Sequence, residues 1–195
     1  MKKSTLRKRY LEKKSLLTGE EVYSFSNNIF TNFLGHFPLI QNQKIHCFLS
    51  IPEKNEVDTS LFLKAFFDIG IRVFVPKIVK GKLISVEIER KTPLPKNSWG
   101  IPEPESSVDS GTKDFDYVIT PLLYCDAEGN RVGYGKGFYD GFFSSLEESA
   151  KKIGVSFFSP KEKVDDIWEN DVPLNYLVTP TEVLSFTGGI SKLTK

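Results

Sequence analysis

The stretch Asp126-Ala-Glu-Gly-Asn-Arg-Val-Gly-Tyr-Gly-Lys-Gly-Phe-Tyr-Asp140 holds four glycines, Gly129, Gly133, Gly135 and Gly137, with Arg131 and Lys136 set between them. Glycine reaches positive φ and lets other groups approach the main chain closely. Successive N–H groups here can therefore converge on one point as an anion-binding nest. Two cations beside such a nest suit a polyphosphate. Asp140 follows at once, and a carboxylate next to bound phosphates is a natural Mg2+ ligand. The stretch is not a P-loop, because Gly137 rather than Ser or Thr follows Lys136, and not a dinucleotide fingerprint, because Phe138 stands where the third glycine belongs. Val132-Gly-Tyr-Gly135 matches part of a potassium filter, but no long apolar segment flanks it. On these residues alone, a glycine-rich surface loop stays open as the alternative.

The rest of the chain offers weaker signals. His36 and His46 have no ligand-like spacing with cysteine, which argues against a zinc site, and no Gly-x-Ser-x-Gly elbow occurs. Carboxylates, basic groups and aromatic rings around a phosphate nest suit phosphoryl transfer, where positioning and charge neutralisation supply most of the catalysis. Glu56 and Asp171 are candidates, yet a loop glutamate is usually solvated and a loop aspartate often only organises a turn. Lys3 and Arg7 share one face of an N-terminal helix. Read alone, that face is a solvated charged one.

These groups need elements to position them. Residues 2–17 read as a basic helix with Leu6, Tyr10 and Leu17 along one side. Thr18 and Glu21 read as a capping box for a helix whose Val22, Phe25, Ile29 and Phe33 face the core. Ile45–Ile51 is expected to be a buried strand that Pro52 ends. Thr59 is placed to cap the next helix and Gly70 to close it, and Ile71–Val75 is a strand stopped by Pro76. Strand, helix, strand implies a parallel pair with a right-handed crossover. Leu83–Ile88 is a further strand, in a hairpin, and residues 92–114 a long irregular loop with Trp99 and Ile101 as its apolar members. Tyr117–Thr120 leads into the glycine stretch. A helix is expected from Phe138 to about Ser149, strands at Ile153–Phe157, Tyr176–Thr179 and Val183–Phe186, and a loose tail over 187–195. The glycine stretch and the Glu56 loop both follow strands, so both can line one crevice beyond the carboxyl ends of a sheet.

At 195 residues, the chain is expected to form a single domain from residue 1 to residue 195. A net charge of +1 gives no global pull toward nucleic acid or membrane, so any anion site must be local. Cys47 and Cys125 lie in apolar runs and read as packed free thiols. Lys13 and Lys14 follow too soon for a secretory apolar region, and no stretch is long enough to span a bilayer. A soluble, reduced, cytoplasmic monomer is expected, with neither nucleic acid nor membrane as partner.

The string Gly129-Asn-Arg-Val-Gly-Tyr-Gly-Lys-Gly-Phe-Tyr-Asp140 resembles the signature of the 5-formyltetrahydrofolate cyclo-ligases, also called methenyltetrahydrofolate synthetases. Four more stretches follow the family's order. Lys3-Ser-Thr-Leu-Arg7 is similar to its N-terminal Lys-x-x-x-Arg, and Glu56-Val-Asp-Thr59 to a Glu-hydrophobic-acidic-Thr element after the first strand. Leu94-Pro-Lys-Asn-Ser-Trp-Gly-Ile-Pro-Glu-Pro104 resembles its Trp-and-Pro loop, and Glu169-Asn-Asp171 its late metal-binding aspartate motif. The resemblance covers nearly the whole chain.

It implies a single three-layer α/β domain, Rossmann-like, with a mostly parallel central sheet. Lys3 and Arg7 would bind ATP together with Arg131, Gly133, Gly135, Lys136, Gly137 and Tyr139. Leu49, Glu56, Tyr134, Gly135, Lys136, Gly137 and Phe138 would contact the folate, with Trp99 walling the pterin. Asp140 and Asp171 would hold Mg2+, and Lys136, Arg131 and Tyr139 would form the catalytic set. The implied reaction closes 5-formyltetrahydrofolate to 5,10-methenyltetrahydrofolate with release of ADP and phosphate. Two alternatives stand beside it: a sugar-phosphate isomerase on a similar scaffold, and a non-catalytic folate- or nucleotide-binding protein. Gly141, Leu122, Cys125 and Pro160 depart from the residues common in the family, where a basic residue, Gly, Phe and a nearby Gln are usual. These departures bear on folate fit and leave the phosphate and metal positions intact. Asp126 is a candidate either for a structural part or for supporting the site residues from behind.

Overall fold

A computed structural model describes residues 1–97 and 100–186. Trp99 and the tail expected over 187–195 lie outside the described residues. In chain order the elements are α1 (Lys3–Ser15), α2 (Gly19–His36), β1 (Lys44–Cys47), α3 (Ser60–Ile69), β2 (Arg72–Val79), β3 (Lys82–Ile88), β4 (Tyr117–Pro121), β5 (Tyr124–Cys125), β6 (Arg131–Val132), α4 (Phe138–Phe143), β7 (Lys151–Val155), β8 (Tyr176–Val178) and β9 (Val183–Ser185). Seven of the strands form one sheet in the order β3-β2-β1-β4-β7-β8-β9. The inner pairs β1–β2, β1–β4, β4–β7 and β7–β8 are parallel, and the edge strands β3 and β9 run antiparallel to their neighbours. From β1 the chain builds outward first through β2, then on the other side through β4. The switch point of this Rossmann-like order therefore lies between β1 and β4, where open α/β sheets collect ligands.

Side-chain alternation along the strands divides the core in two. Ile45, Cys47, Val73, Val75, Ile119 and Ile153 face Ile29 and Phe33 of α2 and Phe62 and Phe66 of α3. On the other face, Phe74, Val118 and Leu177 pack with Phe115 and with Phe142 and Phe143 of α4. Helices thus cover both faces of a mostly parallel sheet, the expected three layers. A third cluster joins α1 to the β5–β6 hairpin, with Leu6 and Tyr10 against Leu123, Tyr124 and Val132. The Tyr10 and Tyr124 rings stack at 4.3 Å. Both cysteines are free and buried. No described helix is long and apolar enough to cross a membrane.

The capping box forms as its residues predict: the Thr18 side chain accepts from Glu21 N, and the Glu21 carboxylate accepts from Thr18 N. Four expectations need correction. β1 stops at Cys47 rather than Ile51, because the amides of Ser50 and Ile51 turn to side-chain acceptors, Thr59 Oγ1 and Glu56 Oε2. That leaves the Thr59 hydroxyl no part in capping α3, and the Asp58 carboxylate accepts the Ser60 N–H instead, at 2.9 Å. β2 runs through Pro76 to Val79. β1 pairs only as far as Phe74, so beyond it β2 has β3 alone as neighbour, and a proline is tolerated where a strand has an open side. α4 ends at Phe143 rather than near Ser149. The hydroxyls of Ser144 and Ser145 donate to the carbonyls of Gly141 and Phe142, a local competition that ends helices.

Candidate active site

Beyond β1, the loop that ends the strand folds back on Glu56, which is 9% exposed. Its Oε2 accepts the Ile51 N–H at 3.0 Å, and its Oε1 accepts the hydroxyl of Tyr134 at 2.9 Å. The Glu56 loop and the glycine stretch, far apart in sequence, therefore touch. Lys14, from the last turn of α1, donates from Nζ to the same Tyr134 hydroxyl at 2.9 Å. Burial pulls the Lys14 pKa down, and the Glu56 charge pulls it back up. Lys14 and Glu56 line a narrow cleft with Phe48, Val57, Pro121 and Phe157. Leu49 packs in the same apolar cluster as Phe48 and Val57.

The glycine stretch starts from the β5–β6 hairpin, and Asp126 builds that turn. Its Oδ1 accepts from Glu128 N and Asn130 N, and its Oδ2 from Asn130 Nδ2 and Val164 N. Asp126 is thus a structural residue. After the hairpin the chain turns at Gly135 (φ 89°) and Gly137 (φ 70°), with Lys136 between them. A β-carbon on Gly135 would stand 3.1 Å from the Arg7 guanidinium carbon, so that position also needs the missing side chain for close approach. Arg7 Nε donates to Gly133 O at 2.9 Å. The main-chain N–H groups from Gly135 to Tyr139 donate to nothing among the described residues, and Lys136 is exposed and takes no partner there. Phe138 opens α4, half-buried.

The two candidate metal carboxylates line one small cleft with Lys3, Asn130, Arg131, Val172 and Pro173. Lys3 Nζ donates to Asp171 Oδ2, which also accepts from Trp168 N at 2.6 Å. Asp140 Oδ1 accepts from Arg131 at 2.6 Å and from Val172 N at 3.3 Å. Arg131 also donates to the Val172 carbonyl, and its guanidinium lies 4.6 Å over the Phe143 ring. Burial draws the Arg131 pKa below its usual value, with Asp140 opposing. Arg131, expected to bind ATP, places its two terminal nitrogens against these protein acceptors. The Tyr139 ring is partly exposed, but its hydroxyl is buried without a partner among the described residues. Burial pushes that phenol well above its ordinary pKa, with Cys47 and Glu56 adding to the effect and Arg131 opposing it. It therefore offers an unused donor.

Two residues of this arrangement carried no motif signal: Lys14, and Asn55, whose Nδ2 donates to the Lys14 carbonyl at 3.0 Å. Lys14 had one available clue. Lys3, Arg7 and Lys14 follow the spacing i, i+4, i+11 along one helix, which returns each to the same face.

Fold and site together describe a Rossmann-like α/β enzyme with polar side chains gathered beyond the carboxyl ends of β1 and β4. A profile of the 5-formyltetrahydrofolate cyclo-ligase family matches residues 1–180. The chain belongs to the 5-formyltetrahydrofolate cyclo-ligase family. It is 31% identical over 150 residues to a probable 5-formyltetrahydrofolate cyclo-ligase of Caenorhabditis elegans, covering 70% of this chain and 73% of that protein. Over 178 residues it is 26% identical to the 5-formyltetrahydrofolate cyclo-ligase of Escherichia coli K12, covering 88% and 97% respectively. The solved structure of Aquifex aeolicus 5,10-methenyltetrahydrofolate synthetase superposes with a TM-score of 0.82 at 27% identity, over 100% of this chain and 97% of that one.

Proposed function

We propose that this chain closes 5-formyltetrahydrofolate to 5,10-methenyltetrahydrofolate at the expense of ATP. Family membership over residues 1–180 supports the reaction class and disfavours the sugar-phosphate isomerase alternative. The observation that carries the reading further is the double reach of the glycine stretch. At one end Tyr134 bonds Glu56, and at the other Asp140 shares a cleft with Asp171. A folate held by Glu56 and a nucleotide held by the turn and its cations would meet over Gly135–Gly137.

A formamide carbonyl is a poor electrophile, and its oxygen is a poor leaving group. In the proposed path the formyl oxygen on N5 attacks the γ-phosphorus of ATP and ADP departs, leaving an N5-iminium phosphate. N10 of the same folate then attacks the activated carbon, phosphate leaves with the former formyl oxygen, and N10 gives up its proton. Holding N10 beside that carbon supplies the proximity effect, worth up to about 7–11 kcal/mol for well-oriented partners. The N–H groups of Gly135–Tyr139 and the Lys136 ammonium, which have no partner among the described residues, are suited to the phosphates, with Arg7 and Lys3 beside them. Glu56 offers acceptors to the N–H edge of the pterin. Asp140 and Asp171, two carboxylates on one cleft, fit Mg2+, which takes one or two carboxylates and otherwise water and phosphate oxygens. Bound there, the ion would neutralise phosphate charge. A cytoplasmic, single-domain monomer acting on small molecules is part of this proposal.

Purified protein incubated with 5-formyltetrahydrofolate, ATP and Mg2+ is expected to develop the methenyl absorbance, with none when ATP is omitted. ATP-independent product, or no product with a folded protein, would overturn the reading.

A further inference from the structure

Lys14 lies outside every motif discussed above, yet it is 6% exposed at the end of a helix whose other lysines face solvent more freely. Burying an ammonium is costly unless something compensates. Its compensation is specific: Nζ donates to the Tyr134 hydroxyl at 2.9 Å, and that hydroxyl donates to Glu56 Oε1 at 2.9 Å. An ammonium has no lone pair to offer, and a phenol has only one proton. With Lys14 feeding the phenolic oxygen, the Tyr134 proton has a single destination, the carboxylate of Glu56. The direction of the chain is therefore fixed by its two ends, an ammonium that can only donate and a carboxylate that can only accept. The backbone secures the same arrangement, since Asn55 Nδ2 bonds the carbonyls of Lys14 and Leu17 and ties the end of α1 to the loop that carries Glu56.

We infer that Lys14 is a positioning residue for the folate subsite, acting through Tyr134 to fix the Glu56 carboxylate and to hold the Tyr134 hydroxyl against it. The inference rests on the reading of Glu56 as the pterin acceptor. It makes Lys14 specific to one substrate. Lys3 and Arg7, on the same helix, address Asp171 and the glycine turn instead, so removing the Lys14 ammonium should leave the nucleotide end undisturbed.

The test is calorimetric titration of the intact protein, separately with 5-formyltetrahydrofolate and with ATP, for Lys14→Met, Tyr134→Phe, the double variant and Glu56→Gln. Lys14→Met keeps the apolar stem, and Tyr134→Phe loses only a hydroxyl from a ring that is 39% exposed. Each single variant is expected to weaken folate binding roughly tenfold, the scale of one charge-assisted hydrogen bond, while ATP affinity moves less than about twofold. The double variant should bind folate little worse than either single one, because both break one chain. Lys14→Arg, which restores a donor, should recover part of the loss. Independent, multiplying losses in the double variant, or an equal loss of ATP affinity, would make Lys14 a structural residue only. If Lys14→Met fails to fold, Tyr134→Phe still decides, since unchanged folate binding there breaks the relay. If Glu56→Gln itself leaves folate binding intact, the underlying assignment of Glu56 fails. If Glu56→Gln weakens it and Lys14→Met does not, the role of Lys14 alone is overturned.

Discussion

Arg131 and Asp140 form an ion pair at 2.6 Å in which the guanidinium side chain is only 7% exposed. The same guanidinium holds the Val172 carbonyl, so one cation links β6, α4 and the segment beside Asp171. Arg131→Met would strand a mostly buried carboxylate, and breaking such a pair costs about 3 kcal/mol. Urea unfolding should show a loss of that size. Arg131→Lys should also lose stability, because a lysine cannot reproduce the two-pronged contact. An unchanged unfolding midpoint in both variants would mean that the pair contributes nothing.

Lys136 is the opposite case, a cation exposed and without a partner among the described residues. Lys136→Ala should leave stability within about 0.5 kcal/mol of the parent. Turnover should fall by roughly a hundredfold or more, since preorganised charge near a developing oxyanion is worth about 3 kcal/mol. Near-normal kcat would remove Lys136 from the mechanism.

Asp171 bonds Lys3 and Trp168 N in a cleft shared with Asp140. If it is a metal ligand, Asp171→Asn should reduce Mn2+ affinity in the presence of ATP by at least ~10-fold, the loss that follows even an outer-sphere disturbance. Electron paramagnetic resonance of Mn2+ reads this without turnover. Equal affinity in parent and variant would take Asp171 out of the metal site.

His46 lies fully buried in β1, both ring nitrogens unpartnered among the described residues, against the rings of Phe115 and Phe142. Burial lowers its pKa from 6.5 to about 3. Between those values the unfolded chain binds a proton that the folded chain refuses. Stability should therefore fall as pH drops from 6.5 toward 3, with a slope approaching about 1.4 kcal/mol per pH unit from this residue. His46→Leu should flatten that slope in pH-dependent denaturation, and an unaltered slope would assign the effect to other groups.

The order of bond making can be followed with the formyl oxygen labelled as 18O. The proposed path sends the label into inorganic phosphate. Label recovered in water, beside unlabelled phosphate, would exclude the phosphorylated intermediate and require another use of ATP.

The architecture was legible because apolar periodicity and punctuation act locally. The Thr18–Glu21 box, the α2 stripe and the Gly70 stop are all contained within a few residues of chain. The misread boundaries had non-local causes. Pro76 is tolerated in β2 because β1 is short, and β1 is short because Glu56 and Thr59 take the Ile51 and Ser50 amides. The site divided along the same line. Glycines and their neighbouring cation announced a turn, but nothing in the order of residues announced that Arg131 would be taken up by Asp140, or that Lys14 would be buried against Tyr134. Those depend on which loops the sheet brings together at its switch point.

α1 touches the site near both of its ends, Lys3 at Asp171 and Lys14 at Tyr134. Eleven residues of helix separate the two by about 16 Å at 1.5 Å per residue. The helix is thus a measuring rod between the Asp171 contact and the Tyr134 contact, and its length is quantised. Adding one residue between Lys3 and Lys14 would swing the second lysine by about 100° around the axis, away from Tyr134, whatever residue was added. An insertion in this segment should consequently cost more than a substitution on its outward face. Side chains on that outward face should tolerate exchange, while one residue inserted between Lys3 and Lys14 should break one of the two contacts.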